Sequence, residues 1–158
     1  MVAPSLPVAI ASDHAGYALK EILKTELQAL GQSVLDLGPE NEDSVDYPDF
    51  GARLAHAIGE GRAHLGVLIC GSGIGISIAA NRFSHIRAAL CHDGLTARLS
   101  RQHNDANVLA LGARVIGVDT AKDCLRSFLS TPFEGGRHQR RVDKLTALGK
   151  TQPAATNS

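Results

Sequence analysis

The chain has 158 residues, with 16 basic and 16 acidic side chains and a formal net charge of zero. A single domain of this length buries about two-thirds of the surface of its unfolded chain, so it needs no disulfide or metal ion for stability. The balanced charge indicates neither a nucleic-acid nor an anionic-membrane partner.

Three cysteines occur at Cys70, Cys91 and Cys124, and none is part of a CxxC pair. This pattern is more typical of reduced thiols than of a disulfide framework or a zinc site, so we expect a cytoplasmic protein. The first residues lack the basic stretch of a signal peptide, and no apolar run approaches the length of about 18 residues that suggests a membrane span. We therefore expect no targeting segment and no membrane contact.

Short apolar runs alternate with amphipathic helical patterns along the chain. Such alternation predicts an α/β fold with a five-stranded parallel sheet, in a single domain over 1–148. The last ten residues, 149–158, show no apolar periodicity and are expected to be disordered. The predicted strands are 7–12, 33–37, 67–70, 87–91 and 108–111, and the predicted helices are 19–30, 46–59, one after the glycine-rich turn, 93–102, one starting near 119, and a basic one after 134.

The third predicted strand leads into the glycine-rich turn 71–75 and then into a helix. Glycines let the backbone turn tightly there and approach a ligand, and the helix N-terminus directs free N–H groups at an anion. The same environment favours a thiolate at Cys70. The spacing is not the GxGxxG of dinucleotide sites, and the lysine of a P-loop is missing. With a dinucleotide site and a P-loop disfavoured, we expect the ligand to be a small phosphorylated or polyhydroxylated molecule.

Polar residues follow the predicted strands at Asp13 and His14, at Cys70, at His92 or Asp93, and at Arg114. The carboxyl ends of parallel strands meet at one edge of the sheet, so these residues are expected to form an active site. Considered alone, Asp13 could serve merely as a helix cap, and Cys70 could be merely a small buried hydrophobic residue. Their shared location favours a chemical role.

A second group lies further along the chain. His103 ends a predicted helix, where a purely structural interaction with the helix dipole is an alternative to catalysis. Arg137 and Arg141 share one helical face, with His138 beside them. Guanidinium groups at a helix start suit phosphate binding, although a solvated basic face would give the same pattern.

Five segments together resemble the type B ribose-5-phosphate isomerases and their galactose-6-phosphate isomerase relatives, in the branch that carries a cysteine base. The resemblance runs from about residue 8 to about residue 148. The segments are SDHAG (12–16), DYP (46–48), ICGSGIGISIAANR (69–82), LSRQHN (99–104) and EGGRHQRRV (134–142).

This resemblance implies a Rossmann-like three-layer sandwich and a homodimer with active sites at the subunit interface, a dimer of dimers being left open. The implied activity is aldose–ketose isomerisation of ribose 5-phosphate and ribulose 5-phosphate through a cis-enediolate, as in the pentose phosphate pathway, with no metal or cofactor. Two alternatives stay open: an isomerase of a six-carbon phosphosugar such as allose or galactose 6-phosphate, and a non-catalytic sugar-phosphate sensor.

The resemblance also implies roles for individual residues. Cys70 would be the base, Ser72 would relay a proton between the two sugar oxygens, and His103 with Asp13 would open the furanose ring. The segment 92–97 departs from the versions typical of the family and could alter the sugar preference. The residues implied in substrate binding are His14, Tyr47, Gly71, Gly73, Ile74, Gly75, Asn104, Arg114, Arg137, His138 and Arg141.

Overall fold

The computed structural model of the chain describes residues 5–150. Strands and helices alternate through this part of the chain, as the apolar runs predict, and a sixth helix follows the last strand and its helix. In chain order the elements are β1 (Val8–Ser12), α1 (Tyr17–Ala29), β2 (Val34–Asp36), α2 (Tyr47–Gly59), β3 (Gly66–Cys70), α3 (Ile74–Asn81), β4 (Ala88–Leu90), α4 (Gly94–Asn104), β5 (Val108–Gly112), α5 (Val118–Ser130) and α6 (Arg137–Lys150).

The five strands form one parallel sheet in the order β2-β1-β3-β5-β4. Helices cover both of its faces, α1, α4 and α5 on one and α2 with α3 on the other. The three central strands are buried along their whole length, which is why they read as continuous apolar runs. The predicted Rossmann-like three-layer sandwich is confirmed.

A buried lysine ties α1 to the edge strand β2. Lys20 is fully buried, and its ammonium group donates to both oxygens of Asp36 at 2.9 and 3.0 Å and to Glu21 at 2.9 Å. Burial alone would raise the pKa of Asp36, but hydrogen bonds from Lys24 and Lys20 outweigh that effect and lower it. The carboxylate of Asp36 therefore stays charged and compensates the buried ammonium.

The opposite edge strand, β4, is short and is covered by a side chain. The amide of Asn81 donates to the carbonyl of Ala88 at 2.9 Å and accepts from its N–H at 2.8 Å. These two backbone groups face away from β5, so the amide takes the place of a further strand at this point.

The structure corrects the predicted end of one helix and describes the start of another. Helix α4 continues through His103 to Asn104 instead of ending at 102, because Asp105 takes a left-handed conformation (φ 47°) as its C-cap and pairs with Arg101. Asp46 occupies the N-cap of α2 without a side-chain capping bond, its carbonyl accepting from Asp49 instead.

Helix α6 runs to Lys150, two residues past the predicted domain end at 148. The rest of the tail that we expected to be disordered, 151–158, lies outside the described residues. Among residues 5–150 no helix is both long enough and apolar enough to cross a membrane.

Candidate active site

The carboxyl ends of the three central strands meet, as the sequence predicts. The backbone N–H of Asp13, just after β1, donates to the carbonyl of Ile69 in β3 at 3.1 Å. On the other side of β3, the N–H of Ala113, just after β5, donates to the carbonyl of Cys70 at 2.9 Å. The chain reverses its winding direction between β1 and β3, and this is where ligands bind in open parallel sheets.

A cleft of about 370 Å³ lies at this junction. Seven of its eight lining residues belong to the predicted site. The eighth, Val115, supplies an exposed apolar wall beside Arg114, and nothing in the sequence pattern distinguishes it from a surface valine. The lining residues are Asp13, Tyr47, Cys70, Gly71, Ser72, Gly75, Arg114 and Val115.

The sulfur of Cys70 is held at the start of α3. Its side chain is 4% exposed, and its Sγ accepts a hydrogen bond from the N–H of Gly73 at 3.1 Å. Gly73 has a φ of 78°, and a Cβ added there would lie 2.5 Å from Cδ1 of Leu90. Only glycine fits this position, and its N–H holds the neighbouring sulfur in place.

The backbone donors of the turn are partly engaged. Ile74 donates its N–H to Oγ of Ser72 at 3.1 Å, and that of Gly73 is bonded to sulfur. Gly75 lies in the first turn of α3, where N–H groups have no intrahelical partner, and it lines the cleft. Its N–H is therefore a donor that can meet a negative charge, and a Cβ on Gly75 would come within 2.6 Å of the Tyr47 ring.

Asp13 lies just before the first turn of α1. The N-cap of α1 is Gly16, whose N–H donates to Oδ1 of Asp13 at 3.0 Å. No described residue donates to Oδ2, which leaves this oxygen for a ligand in the cleft. The neighbouring His14 directs its Nδ1 at the backbone of Val45, 3.1 Å from the carbonyl oxygen, and no residue within 5–150 forms a hydrogen bond with its Nε2.

The second predicted group assembles where α4 ends and α6 begins. The rings of His103 and His138 stack with centroids 4.5 Å apart and planes inclined by 15°. Nε2 of His138 lies 3.5 Å from Oε2 of Glu134. Burial, followed by the positive charges of His103 and Arg137, lowers the pKa of His138. Asn104 and Arg141 are exposed beside this pair of histidines.

Within one chain, the two groups lie at opposite ends of the strands. The cleft is at their carboxyl ends, and the group around His103 is near their amino ends. Cys70 pairs with Gly112 at the end of β5, whereas Asn104 precedes the start of β5 at Val108. The four residue steps from Val108 to Gly112 span roughly 13 Å. The fold therefore does not bring His103 to Cys70 in the same chain.

The segment 92–97 begins α4 and does not line the cleft. Asp93 caps the helix, accepting from the N–H of Thr96 at 2.7 Å, and this bond is the main reason that the pKa of Asp93 is lowered. Its influence on sugar preference stays a prediction.

Comparison with known proteins identifies close relatives. The model of the ribose/galactose isomerase family matches residues 8–145. Ribose-5-phosphate isomerase B of Escherichia coli is 45% identical over 141 residues, which cover 89% of this chain and 95% of that protein. D-erythrulose-4-phosphate isomerase of Pectobacterium atrosepticum is 44% identical over 142 residues, covering 89% of this chain and 93% of that protein.

A solved structure agrees with the fold. Ribose-5-phosphate isomerase B of Clostridium thermocellum superposes with a TM-score of 0.90 at 48% identity, covering 92% of this chain and 98% of that one.

Proposed function

The chain belongs to the ribose/galactose isomerase family, and we propose that it is an aldose–ketose isomerase interconverting ribose 5-phosphate and ribulose 5-phosphate. The observation that carries this proposal is the sulfur of Cys70, fixed at the N-terminus of α3 beside Asp13 in an open cleft. A base beside anion-stabilising donors is what proton abstraction next to a carbonyl requires.

Isomerisation starts from the open-chain aldose. The Cys70 thiolate removes the proton from C2, and the electron pair forms the C1–C2 double bond while negative charge moves to O1. The hydroxyl of Ser72 passes the O2 proton to O1. Return of the abstracted proton from Cys70 to C1 then leaves the carbonyl at C2. No other reactant is consumed.

The enediolate is the species that the glycine-rich turn stabilises. Its negative charge develops next to the first turn of α3, where Gly75 lines the cleft. Removing one comparable donor in other enzymes raises the barrier by roughly 3 kcal/mol. The glycines after Cys70 thus serve the intermediate and leave the phosphate to be bound elsewhere.

A second copy of the chain completes the site in this proposal. Ring opening needs His103 opposite Asp13, and phosphate binding needs Arg137 and Arg141. Within one chain, these three basic residues lie near the amino ends of the strands, away from the cleft. In a homodimer with twofold symmetry, the surface of one chain that carries His103, Arg137 and Arg141 meets the cleft of the other chain, and the same contact forms twice. The exposed Ile74 on α3, beside the Cys70 turn, offers apolar surface for such contact.

We also propose a cytoplasmic location and a single isomerase domain over 1–148. All three cysteines are free and buried, as in proteins of reducing compartments. The two helical residues after 148 extend α6 without adding an element.

A coupled assay for ribulose 5-phosphate formation by the purified protein tests the activity. We expect Cys70→Ala to reduce kcat by at least about a hundredfold, the lower range for losing a general base. Cys91→Ala is the matched control, because Cys91 is buried in the core beneath α4 and α5, away from the cleft. Full activity in Cys70→Ala would contradict Cys70 as the base.

A solvent-exchange measurement separates the enzyme from a non-catalytic sensor. An isomerase exchanges the C2 proton of bound sugar phosphate with deuterium from the solvent. Binding of ribose 5-phosphate without such exchange would favour the sensor.

The length of the preferred sugar is a separate question. A relative with 44% identity is named for a four-carbon substrate, so this level of similarity does not fix the chain length. Comparing kcat/KM for erythrose 4-, ribose 5-, allose 6- and galactose 6-phosphate decides it. We expect the five-carbon sugar to have the highest value.

A further inference from the structure

Three metal-ligating side chains meet where α4 ends and α6 begins. His103, Glu134 and His138 each place one donor atom within 4.8 Å of the other two. In residues 5–150 this is the one such trio of histidine, cysteine and acidic side chains. The isomerase mechanism uses His103 but gives no role to the carboxylate of Glu134.

We propose that His103, His138 and Glu134 bind a divalent transition-metal ion, with Zn²⁺ as the representative ligand, and that the bound ion inhibits the isomerase. The inhibitory part rests on the proposed function, since it acts through His103. The binding part does not depend on it.

The donor set suits the ion. Two imidazoles and one carboxylate with a free fourth position are a common set for Zn²⁺. With bonds of about 2.0–2.1 Å, tetrahedral ligand atoms lie roughly 3.4 Å apart. Nε2 of His138 and Oε2 of Glu134 are already 3.5 Å apart. Only the third donor has to approach.

His103 is the side chain that moves. His138 is buried and fixed, whereas His103 is half-buried at the end of its helix. In the stack the two ring planes are inclined by only 15°, so their nitrogen lone pairs run side by side and do not converge. Binding a shared ion requires the ring of His103 to tilt, and a ring nitrogen that coordinates the ion is no longer free to exchange a proton with the sugar.

The surroundings make the site reversible. Arg137 and Arg141 lie on the same helix, and the N-terminus of α6 adds positive charge, all opposing a cation. The carboxylate of Glu134 is the only negative ligand of the three. We therefore expect weaker binding than at a structural zinc site, and competition between the ion and the sugar phosphate.

Calorimetric titration of Zn²⁺ into chelator-treated protein tests the binding part. We expect one ion per chain, and an affinity at least about tenfold lower in Glu134→Gln, which keeps the size of the side chain but loses its charge. Glu60→Gln is the matched control, an exposed glutamate whose cationic neighbour, Arg62, is 3.8 Å away. Cys70→Ala should bind Zn²⁺ as the wild type does.

Activity measurements test the inhibitory part. Saturating Zn²⁺ should abolish turnover, EDTA should restore it, and Glu134→Gln should be fully active without metal yet need at least about tenfold more Zn²⁺ for inhibition. Unchanged affinity in Glu134→Gln, or binding lost in Cys70→Ala, overturns the site. Saturation with Zn²⁺ at undiminished turnover overturns the inhibition. A protein without isomerase activity that still binds the ion would contradict only the proposed function.

Discussion

Mixed dimers of two inactive variants provide the sharpest test of a site shared between chains. Cys70→Ala removes the proposed base at the carboxyl ends of the strands, and His103→Ala removes the proposed ring-opening group near their amino ends. Each variant alone has two defective sites per homodimer. In a heterodimer, the intact Cys70 of one chain meets the intact His103 of the other, so one of the two sites is complete.

The size of the effect follows from the symmetry. Random pairing of equal amounts gives about half heterodimers, each with one working site, so the mixture should recover about a quarter of the wild-type activity. Co-refolding the two variants at equal concentration, followed by the coupled assay, measures this. Heterodimers isolated through two different affinity tags should have about half the wild-type activity.

The geometry also supplies the control. Asp13 and Cys70 line the same cleft of one chain, so mixing Asp13→Asn with Cys70→Ala should restore nothing. Recovery of activity in this control would mean that Asp13 and Cys70 of different chains act in one site, contrary to the shared cleft. Absence of recovery with His103→Ala, despite verified heterodimers, would refute the shared site.

Three further substitutions test separate parts of the structure. Arg141→Ala should raise KM for phosphorylated sugars at least about tenfold and leave non-phosphorylated sugars unaffected, as expected for a lost charge-assisted contact; equal losses on both would contradict a phosphate role. Gly73→Ala should lower the free energy of unfolding by at least about 2 kcal/mol in urea titrations, because a left-handed alanine is strained and its Cβ would clash with Leu90; wild-type stability would refute this. Asp36→Asn should lower the free energy of unfolding by about 2–3 kcal/mol. This loss is smaller than is usual for a broken buried ion pair, because Glu21 still contacts Lys20. The lowered pKa of Asp36 means that its stabilisation is complete above the ordinary carboxyl pKa and is lost as pH falls through the folded-state value, so the wild-type urea midpoint should fall in acid more steeply than that of Asp36→Asn.

The sequence was sufficient to identify the strands and the residues that follow β1, β3 and β5. Continuous apolar runs identify β1, β3 and β5, because strands buried on both faces tolerate few polar residues. Once these strands are taken as parallel, Asp13, Cys70 and Arg114 must follow them at one edge. This part of the prediction depends only on strand direction, which the alternation with helices specifies.

Features that depend on strand order and distant contacts could not be predicted. No local pattern shows that β5 lies between β3 and β4, and hence that β4 is an edge strand. Lys20 reads as a solvent-facing helix residue, but its partner Asp36 lies 16 residues away. The stack of His103 on His138 likewise joins segments that only the packing of α6 brings together.

The amide of Asn81 on the edge strand β4 has a consequence for how copies of this chain can associate. Because the outward N–H and carbonyl of Ala88 are occupied, an incoming strand finds no free pair to bond with at that point. A second chain therefore cannot extend the sheet by pairing with β4 at this residue. A contact that uses the same surface on both copies closes at a pair, and growth from it by strand addition at Ala88 is blocked.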